Sequence, residues 1–448
     1  MITSFLLILM KISFSDLTKN SFYLFASGIS NMFLNMFQSV IVARGLGVSQ
    51  LGTWAIIVSY CSLTQSLLSF RTQEPLTRYL VKFRQNQQIS EVKLLLSTAV
   101  ITDFLSNFFT LILVVTLSPF ITANLSGRNI FPILVLYAGS LVFNSLDKTW
   151  FCIARDQRQL SRQSIKQFLI TFFKFFSILV LYFSGHLDLH NLALVFFAAS
   201  FLSSLIICYL LNNELIKGYN LRISELDWKN YLNSFTLLNE FWKFMKATFI
   251  SNIFSSLIKN LDILLLGHYA TTKEVGLYQV SKSLASIGRL AVQSLSSTVY
   301  QELSELVTVG KFLEVKQQLL MSIKLSLPKS SILSLLVAIA AHPFIRIFYG
   351  DNYLPAYPLF LILFAGIFAS INLFWAQATI LALDLYKYNL RVIAFSSFFS
   401  IISMTFMIPK WSGVGASLAA SFSSFLIISS LTIKTFLELN KKIREGTV

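Results

Sequence analysis

The sequence predicts an all-α, polytopic membrane protein with about twelve transmembrane helices in two six-helix lobes. Three observations carry this prediction. Of the 448 residues, 55% are hydrophobic and only 12% are charged, whereas soluble globular chains carry about 25% charged residues. Apolar runs near the roughly 20 residues that cross a bilayer recur along the whole chain, and Lys and Arg concentrate in alternate connections between them. This composition excludes a cytosolic enzyme, a disordered protein and a secreted disulfide scaffold.

Twelve apolar runs qualify as candidate spans. Those in the first half lie near 21–43, 52–70, 94–117, 130–151, 168–184 and 190–211. Those in the second half lie near 245–267, 276–299, 321–345, 355–383, 388–408 and 413–433. The opening MITSFLLILMK has no basic residue before its apolar stretch and no small-residue cleavage site, so we interpret it as an interfacial or cytoplasmic lead-in.

The longest inner connection separates the two groups of six spans. It predicts an N-terminal lobe at 1–211, a cytoplasmic linker at 212–244 and a C-terminal lobe at 245–448. Most Lys and Arg residues lie at the termini and in one set of connections, and the opposite loops hold few. We therefore expect both termini to be cytoplasmic. The same loops account for most of the net charge of +16, so no nucleic-acid partner is predicted.

An offset of 224 residues relates the two halves. It aligns Gly52 with Gly276 and Trp54 with Tyr278 without a gap. Six spans in each half make the halves run in the same direction, which predicts a pseudo-two-fold axis along the membrane normal.

Polar residues at helical spacing follow corresponding spans of both halves. In the first half these stripes hold Asn31, Asn35, Gln38 and Gln65, and in the second half they hold Lys259, Asp262, Arg289 and Gln293. The Ser and Asn positions could also serve helix packing, which is common in membranes.

Six charged residues lie well inside predicted spans, where each costs at least ~2.5 kcal/mol unless it faces a cavity or a partner. They are Asp103, Lys174, Lys259, Asp262, Lys282 and Arg289. Lys259 and Asp262 are three residues apart and could neutralise each other, while Lys174 and Lys282 could reach the interface from near a span end. Asp103 and Asp262 are the candidates for ion coupling. The excess of cations predicts a cavity that favours an anionic group, phosphate above all.

The segment FRTQEPLTRYL (70–80) follows the second span. Arg71, Glu74 and Arg78 share a helical face there, either as a phosphate-capturing cytoplasmic entrance or as ordinary positive-inside charge. No metal site, cofactor or catalytic motif is predicted, because the histidines lie in or near outer turns and the three cysteines lie singly in apolar runs.

Two short motifs resemble a known family. They are AR-x-LG-x-x-x-LG-x-W (Ala43–Trp54) and, opening the second half, D-x-x-x-LG followed by VG-x-Y-x-x-x-x-S (Asp262–Ser283). Together with the span number and the half-repeat, they resemble the polysaccharide-biosynthesis branch of the MOP superfamily. That branch contains the Wzx-type flippases of O-antigen and other polysaccharides.

The resemblance implies a transporter in the bacterial cytoplasmic (inner) membrane rather than an enzyme. Its cargo would be an undecaprenyl-diphosphate-linked glycan, such as a lipopolysaccharide precursor, moved outward by alternating access through a cationic central cavity. Arg289 and Lys259 would contact the diphosphate or acidic sugars, with Lys282 and Lys174 as further candidates. Asp262 would orient Lys259, and the amides, Gln293 among them, would bind sugar hydroxyls. Whether a glycan polymerase or glycosyltransferases are partners stays open.

Two other classes remain at this point. A MATE-like small-molecule or cation antiporter of the same superfamily should show an acid-dominated interior. A membrane-embedded glycan polymerase or ligase should carry a large outer loop with catalytic Arg or His, and the predicted outer loops are short.

Overall fold

A computed structural model shows a helical protein. It describes residues 16–122, 130–157, 159–219 and 221–445, and the predicted lead-in lies outside these ranges. No strand occurs within them, which confirms the predicted all-α class. Within the helices, the structure leaves some side chains undescribed, among them those of residues 16–26 and 289–295.

Within the described residues, the first half contains seven α-helices. They are α1 (Asp16–Leu68), α2 (Gln73–Gln85), α3 (Ile89–Thr122), α4 (Phe131–Phe143), α5 (Asp147–Asp156), α6 (Leu160–Phe183) and α7 (Leu189–Tyr219). A 3-10 turn, Asn144–Leu146, joins α4 to α5.

The second half begins with a short connecting helix and continues with long ones. They are α8 (Ser234–Leu237), α9 (Asn239–Tyr269), α10 (Thr272–Thr308), α11 (Phe312–Phe344), α12 (Ala356–Asn372), α13 (Trp375–Ala382) and α14 (Tyr386–Glu445). A π-helical turn at Ile345–Tyr349 and a 3-10 turn at Asp351–Tyr353 follow α11.

The two longest helices each carry two of the predicted apolar runs, separated by a backbone break. In α1 the break is Gly47, with φ 73°, and in α14 it is Ser412, with φ 45°. Positive φ is open to glycine but uncommon for serine. Hydropathy therefore located these runs, but it did not predict that each pair would join into one bent helix.

Six helices are long and apolar enough to cross a membrane, or up to eight if each of two bent pairs is one span, by length and composition within the described residues. The bent pairs are α9, broken near Lys259, and α12 with α13. The protein is thus a multi-pass membrane protein, and the count of twelve crossings stays a prediction.

The chain forms two compact units. The N unit comprises residues 1–41 and 64–252, and the C unit comprises 42–63 and 253–448. The partition differs from the predicted one, because residues 42–63 join the second unit and the segment 212–244 belongs to the first. The compact units describe packing, and the predicted lobe boundaries at 211 and 245 stay a prediction.

An apolar core at one end of the N unit explains why the predicted linker packs there. Trp150 and Leu76 are fully buried in it, and Phe241 and Trp242 from α9 join them. The Tyr219 hydroxyl donates to Asp156 at the edge of this core. Burial and the Asp156 carboxylate raise the pKa of that hydroxyl, so it stays a donor at any working pH.

In the C unit, two glycines that correspond under the 224-residue offset lie against each other's helices. A Cβ on Gly52 would lie 1.8 Å from the Thr272 carbonyl oxygen, and one on Gly276 would lie 2.0 Å from the Val48 carbonyl oxygen. Val48 and Thr272 also correspond under the offset, so the contact is reciprocal, as at a two-fold interface. The predicted repeat therefore has a structural counterpart at this crossing.

Candidate functional site

The N unit contains a polar cavity of about 580 Å³, here called the N cavity. Helices α4 to α7 line it, with Asn35 from α1 and Gln73 from the start of α2. Its size falls within the range of roughly 300–1,000 Å³ that is usual for small-molecule sites.

Helix α6 contributes a polar stripe to this cavity. Six of its residues, at successive spacings of three, one, three, one and three, face the N cavity: Gln163, Lys166, Gln167, Ile170, Thr171 and Lys174. This spacing keeps side chains on one face of an α-helix. The predicted cation Lys174 therefore lies in the cavity wall, with its Nζ 5.4 Å from the centroid of the Phe196 ring.

Two ion pairs neutralise the other lysines of the N cavity. The fully buried Asp103 accepts from Lys148 Nζ at 2.8 Å and from the Thr72 hydroxyl at 2.7 Å. Lys166 pairs with Asp147 across the α5–α6 contact. Asp103, one of the two predicted ion-coupling acids, is thus already bound to a cation of the protein.

The C unit contains a second cavity, of about 700 Å³, here called the C cavity. Lys259 is its single charged lining residue among those described. The remaining lining is mostly apolar, with Phe374, Leu381 and Leu431 among it, and its polar groups are neutral hydroxyls and one amide, such as Tyr300. The predicted cation Lys259 therefore lines a cavity whose described residues include no carboxylate.

The expected pairing of Asp262 with Lys259 is wrong. Asp262 is 2% exposed and its carboxylate binds Lys282 Nζ at 2.7 and 2.8 Å, with the Tyr278 hydroxyl at 2.7 Å. Lys282 and Tyr278 lie one turn apart on α10, so the neighbouring helix, not the adjacent turn of α9, supplies the partners. Lys282 is therefore in an ion pair with Asp262.

The predicted amide residues fall in different surroundings. Asn35 is exposed and lines the N cavity. Asn31 and Gln38 are buried, and each has a side-chain oxygen without a hydrogen-bond partner in the described part. Gln65 donates to the Asn107 side chain at 2.8 Å, which leaves it a packing role between α1 and α3.

The predicted entrance residues lie at the start of α2. Arg71 pairs with Glu74 at 2.5 Å, and both side chains are more than 40% exposed. Arg78 is exposed, with its guanidinium 5.7 Å from the centroid of the Phe244 ring. Arg289 and Gln293 lie on α10, but their side chains are outside the described residues.

Asp147, Lys148 and Lys166 were missed by the sequence reasoning. Asp147 and Lys148 fall at the end of the predicted span 130–151, where charges are usually interfacial. The signal that could have found Lys166 is the stripe on α6, because its three-and-four spacing begins at Gln163, before the predicted span. Within the described ranges, no group of three His, Cys, Asp or Glu residues could hold a metal ion.

Comparison with known proteins identifies the family. The profile of the family described as "Polysaccharide biosynthesis protein" matches residues 82–358, more than half of the sequence. The chain belongs to this family. A search of curated proteins finds no match to this family member.

Solved structures with the same fold are membrane transporters. An inward-facing multidrug resistance MATE transporter of the MOP superfamily shares a TM-score of 0.74 at 9% identity, covering 92% of this chain and 96% of that one. The lipid II flippase MurJ in an inward closed conformation gives 0.71 at 16% identity, covering 92% and 89%. The eukaryotic MATE transporter AtDTX14 gives 0.64 at 15% identity, covering 96% and 97%. This family member therefore has the two-lobed fold of MOP-superfamily transporters.

Proposed function

We propose that the protein is a flippase that moves a glycan linked to undecaprenyl diphosphate from the cytoplasmic to the outer leaflet of a bacterial inner membrane. O-antigen-type precursors are the cargo class that the sequence resemblance favours. Unaided passage of the diphosphate and sugars through hydrocarbon would desolvate charge and many hydroxyls, which is prohibitively costly. Alternating access of the two lobes, with the polyprenyl tail left in lipid, avoids that cost.

The observation that carries the proposal is the composition of the C cavity. One ammonium, Lys259, faces a mostly apolar volume in which the described lining offers no carboxylate. Such a lining suits a molecule with an apolar chain and an anionic group at its end. Lys259 would bind a phosphate oxygen, and the side chains of α12 to α14 would contact the first isoprenoid units. Arg289, on α10, is the proposed second cation of this site.

The state of the buried acids favours an anionic cargo over a cationic one. An antiporter for cationic compounds needs a carboxylate that is available to its ligand. Asp103 and Asp262 are instead bound to Lys148 and Lys282, and Asp147 is bound to Lys166. Coupling to an ion through Asp103 or Asp262 would require one of these pairs to open.

The test is the replacement of Lys259 in cells whose surface glycan depends on this protein. We expect Lys259→Ala to lower surface glycan at least tenfold and to accumulate lipid-linked glycan in the membrane, because the phosphate loses its cation. Lys259→Arg should retain most export. The matched control is Lys273→Ala, since Lys273 is an exposed lysine at the start of α10.

Protein abundance in the membrane is measured in parallel, so that a folding defect is separated from a transport defect. Normal glycan export by Lys259→Ala at normal abundance would overturn the assignment of this site. A second measurement compares efflux of a cationic compound in cells with and without the protein. If Lys259→Ala exports glycan normally and cells without the protein lose this efflux, the antiporter function is favoured instead.

A further inference from the structure

The charges of the N cavity include one more cation than acids. Three lysines line it, and Lys148 and Lys166 are paired with Asp103 and Asp147. Among the described residues, Lys174 forms no ion pair, and its observed contact is the Phe196 ring. Asp147, which is already bound to Lys166, also attracts Lys174 electrostatically, so three ammonium groups share two carboxylates. An excess positive charge inside a membrane protein indicates a place for an anion.

Gln163, which lines the same cavity, carries a buried hydrogen-bond acceptor. Gln163 is 9% exposed, and its Oε1 has no hydrogen-bond partner in the described part of the chain. A buried acceptor left unsatisfied costs about 1–3 kcal/mol. Water or a ligand hydroxyl would satisfy it. Gln163 therefore points to a ligand that donates hydrogen bonds as well as carrying a negative charge.

The spacing of these two groups sets the length of the ligand. Lys174 and Gln163 are eleven residues apart on α6, about 16 Å at 1.5 Å per residue. One sugar ring cannot contact both ends, whereas a short oligosaccharide can. Between them the wall offers the amides of Asn144 and Gln167 and the aromatic ring of Phe151. Amides bind sugar hydroxyls, and flat rings pack against the apolar faces of sugars.

The charge of the site distinguishes between anionic groups. One unpaired ammonium balances one negative charge, as on a carboxylate. A diphosphate carries more than one, and the surplus would have no ammonium partner among the described lining residues. We propose that the N cavity binds a saccharide segment of the cargo that contains a uronic acid, with the carboxylate on Lys174 and a hydroxyl donating to Gln163.

This proposal rests on the proposed function, because it names the sugar class that the same protein carries. It assigns the glycan to the N cavity. A carboxylate-bearing sugar should then bind to the protein even when it has no lipid attached.

The experiment measures binding of soluble trisaccharides to the purified full-length protein in lipid nanodiscs by isothermal titration calorimetry. One probe contains a glucuronic acid, and the other contains glucose at the same position. We expect the acidic probe to bind at least tenfold more tightly to the unaltered protein. Lys174→Met should reduce it to the affinity of the neutral probe, and Lys174→Arg should keep the preference.

Two further variants complete the design. Gln163→Leu should weaken both probes about threefold or more, because it removes a contact to a hydroxyl rather than to the charge. Lys243→Met changes an exposed lysine outside the cavity and should change neither affinity. Lys174→Gln serves as a second neutral variant if Lys174→Met does not fold.

Equal binding of the two probes by the unaltered protein, or a preference that survives in Lys174→Met and Lys174→Gln, would overturn the proposal. Its failure is separable from failure of the flippase function. If the unaltered protein binds both probes equally and Lys259→Ala blocks export, only the N cavity site is contradicted. If the unaltered protein prefers the acidic probe and Lys259→Ala exports glycan normally, only the assignment of Lys259 is contradicted.

Discussion

The N unit and the C unit each hold a buried Asp with the same kinds of partner, but the linings of their cavities differ. In each unit a nearly inaccessible Asp accepts from one Lys and one hydroxyl, Lys148 and Thr72 for Asp103 and Lys282 and Tyr278 for Asp262. The N cavity, however, is lined by a polar stripe with lysines, whereas the C cavity is mostly apolar, with Lys259 as the one charged residue among those described. The comparison teaches that Asp103 and Asp262 are each bound to a lysine of their own unit, and that Lys174 and Lys259 are the lysines available to a cargo.

The largest effect is expected when the C-unit pair is broken. Asp262→Ala leaves Lys282 only 19% exposed and without its carboxylate, with the Lys259 carbonyl oxygen at 2.6 Å as its remaining observed acceptor. Breaking a buried pair by removing one partner costs about 3–5 kcal/mol. Denaturant unfolding of the purified protein in detergent would measure the lower free energy of unfolding.

The double variant Asp262→Leu with Lys282→Met is the matched control. It removes both charges, so it should recover most of the lost stability. A double variant as unstable as Asp262→Ala would show that the loss comes from packing rather than from the unpaired ammonium.

A smaller effect is expected for the corresponding change in the N unit. After Asp103→Ala, Lys148 still has the Ser69 hydroxyl and the Phe70 carbonyl oxygen as acceptors, both at 3.0 Å, and it is 30% exposed. The main cost is the lost acceptor of the buried Thr72 hydroxyl, about 1–3 kcal/mol. The same unfolding measurement should therefore rank Asp103→Ala between Asp262→Ala and the unaltered protein, and the reverse order would break the comparison.

The smallest effect on stability is expected outside the cavities. Arg71→Ala removes an exposed pair with Glu74, and exposed pairs contribute about 0–1 kcal/mol. Unfolding should be nearly unchanged. A fall in glycan export at unchanged stability would favour the predicted entrance role of Arg71, and unchanged export would favour ordinary positive-inside charge.

Hydropathy predicted most of the fold, because each apolar run must be helical to satisfy its backbone in lipid. It did not predict the joining of runs at Gly47 and Ser412, since backbone breaks inside a helix depend on local conformation and tertiary contacts rather than on apolar content. Several helices begin or end well outside their predicted runs and show the same limit, among them α3, α6, α7, α9, α10, α11 and α14.

Sequence reasoning predicted the unusual charges of the candidate site but not their partners. Burial inside a predicted span identified Asp103, Asp262, Lys174 and Lys259 as unusual charges. Their partners could not be predicted from spacing. Spacing along one helix favours Lys259 for Asp262, whereas the actual partner, Lys282, lies on the next helix. Pairing between helices depends on their rotation and packing, which the sequence of one chain does not encode locally.

The reciprocal glycine crossing in the C unit has a consequence for how the two repeats can diverge. A substitution at either glycine brings a side chain into the backbone of the other repeat, so each copy restrains the evolution of its duplicate at this point. The crossing is where descent from a common half should remain visible longest.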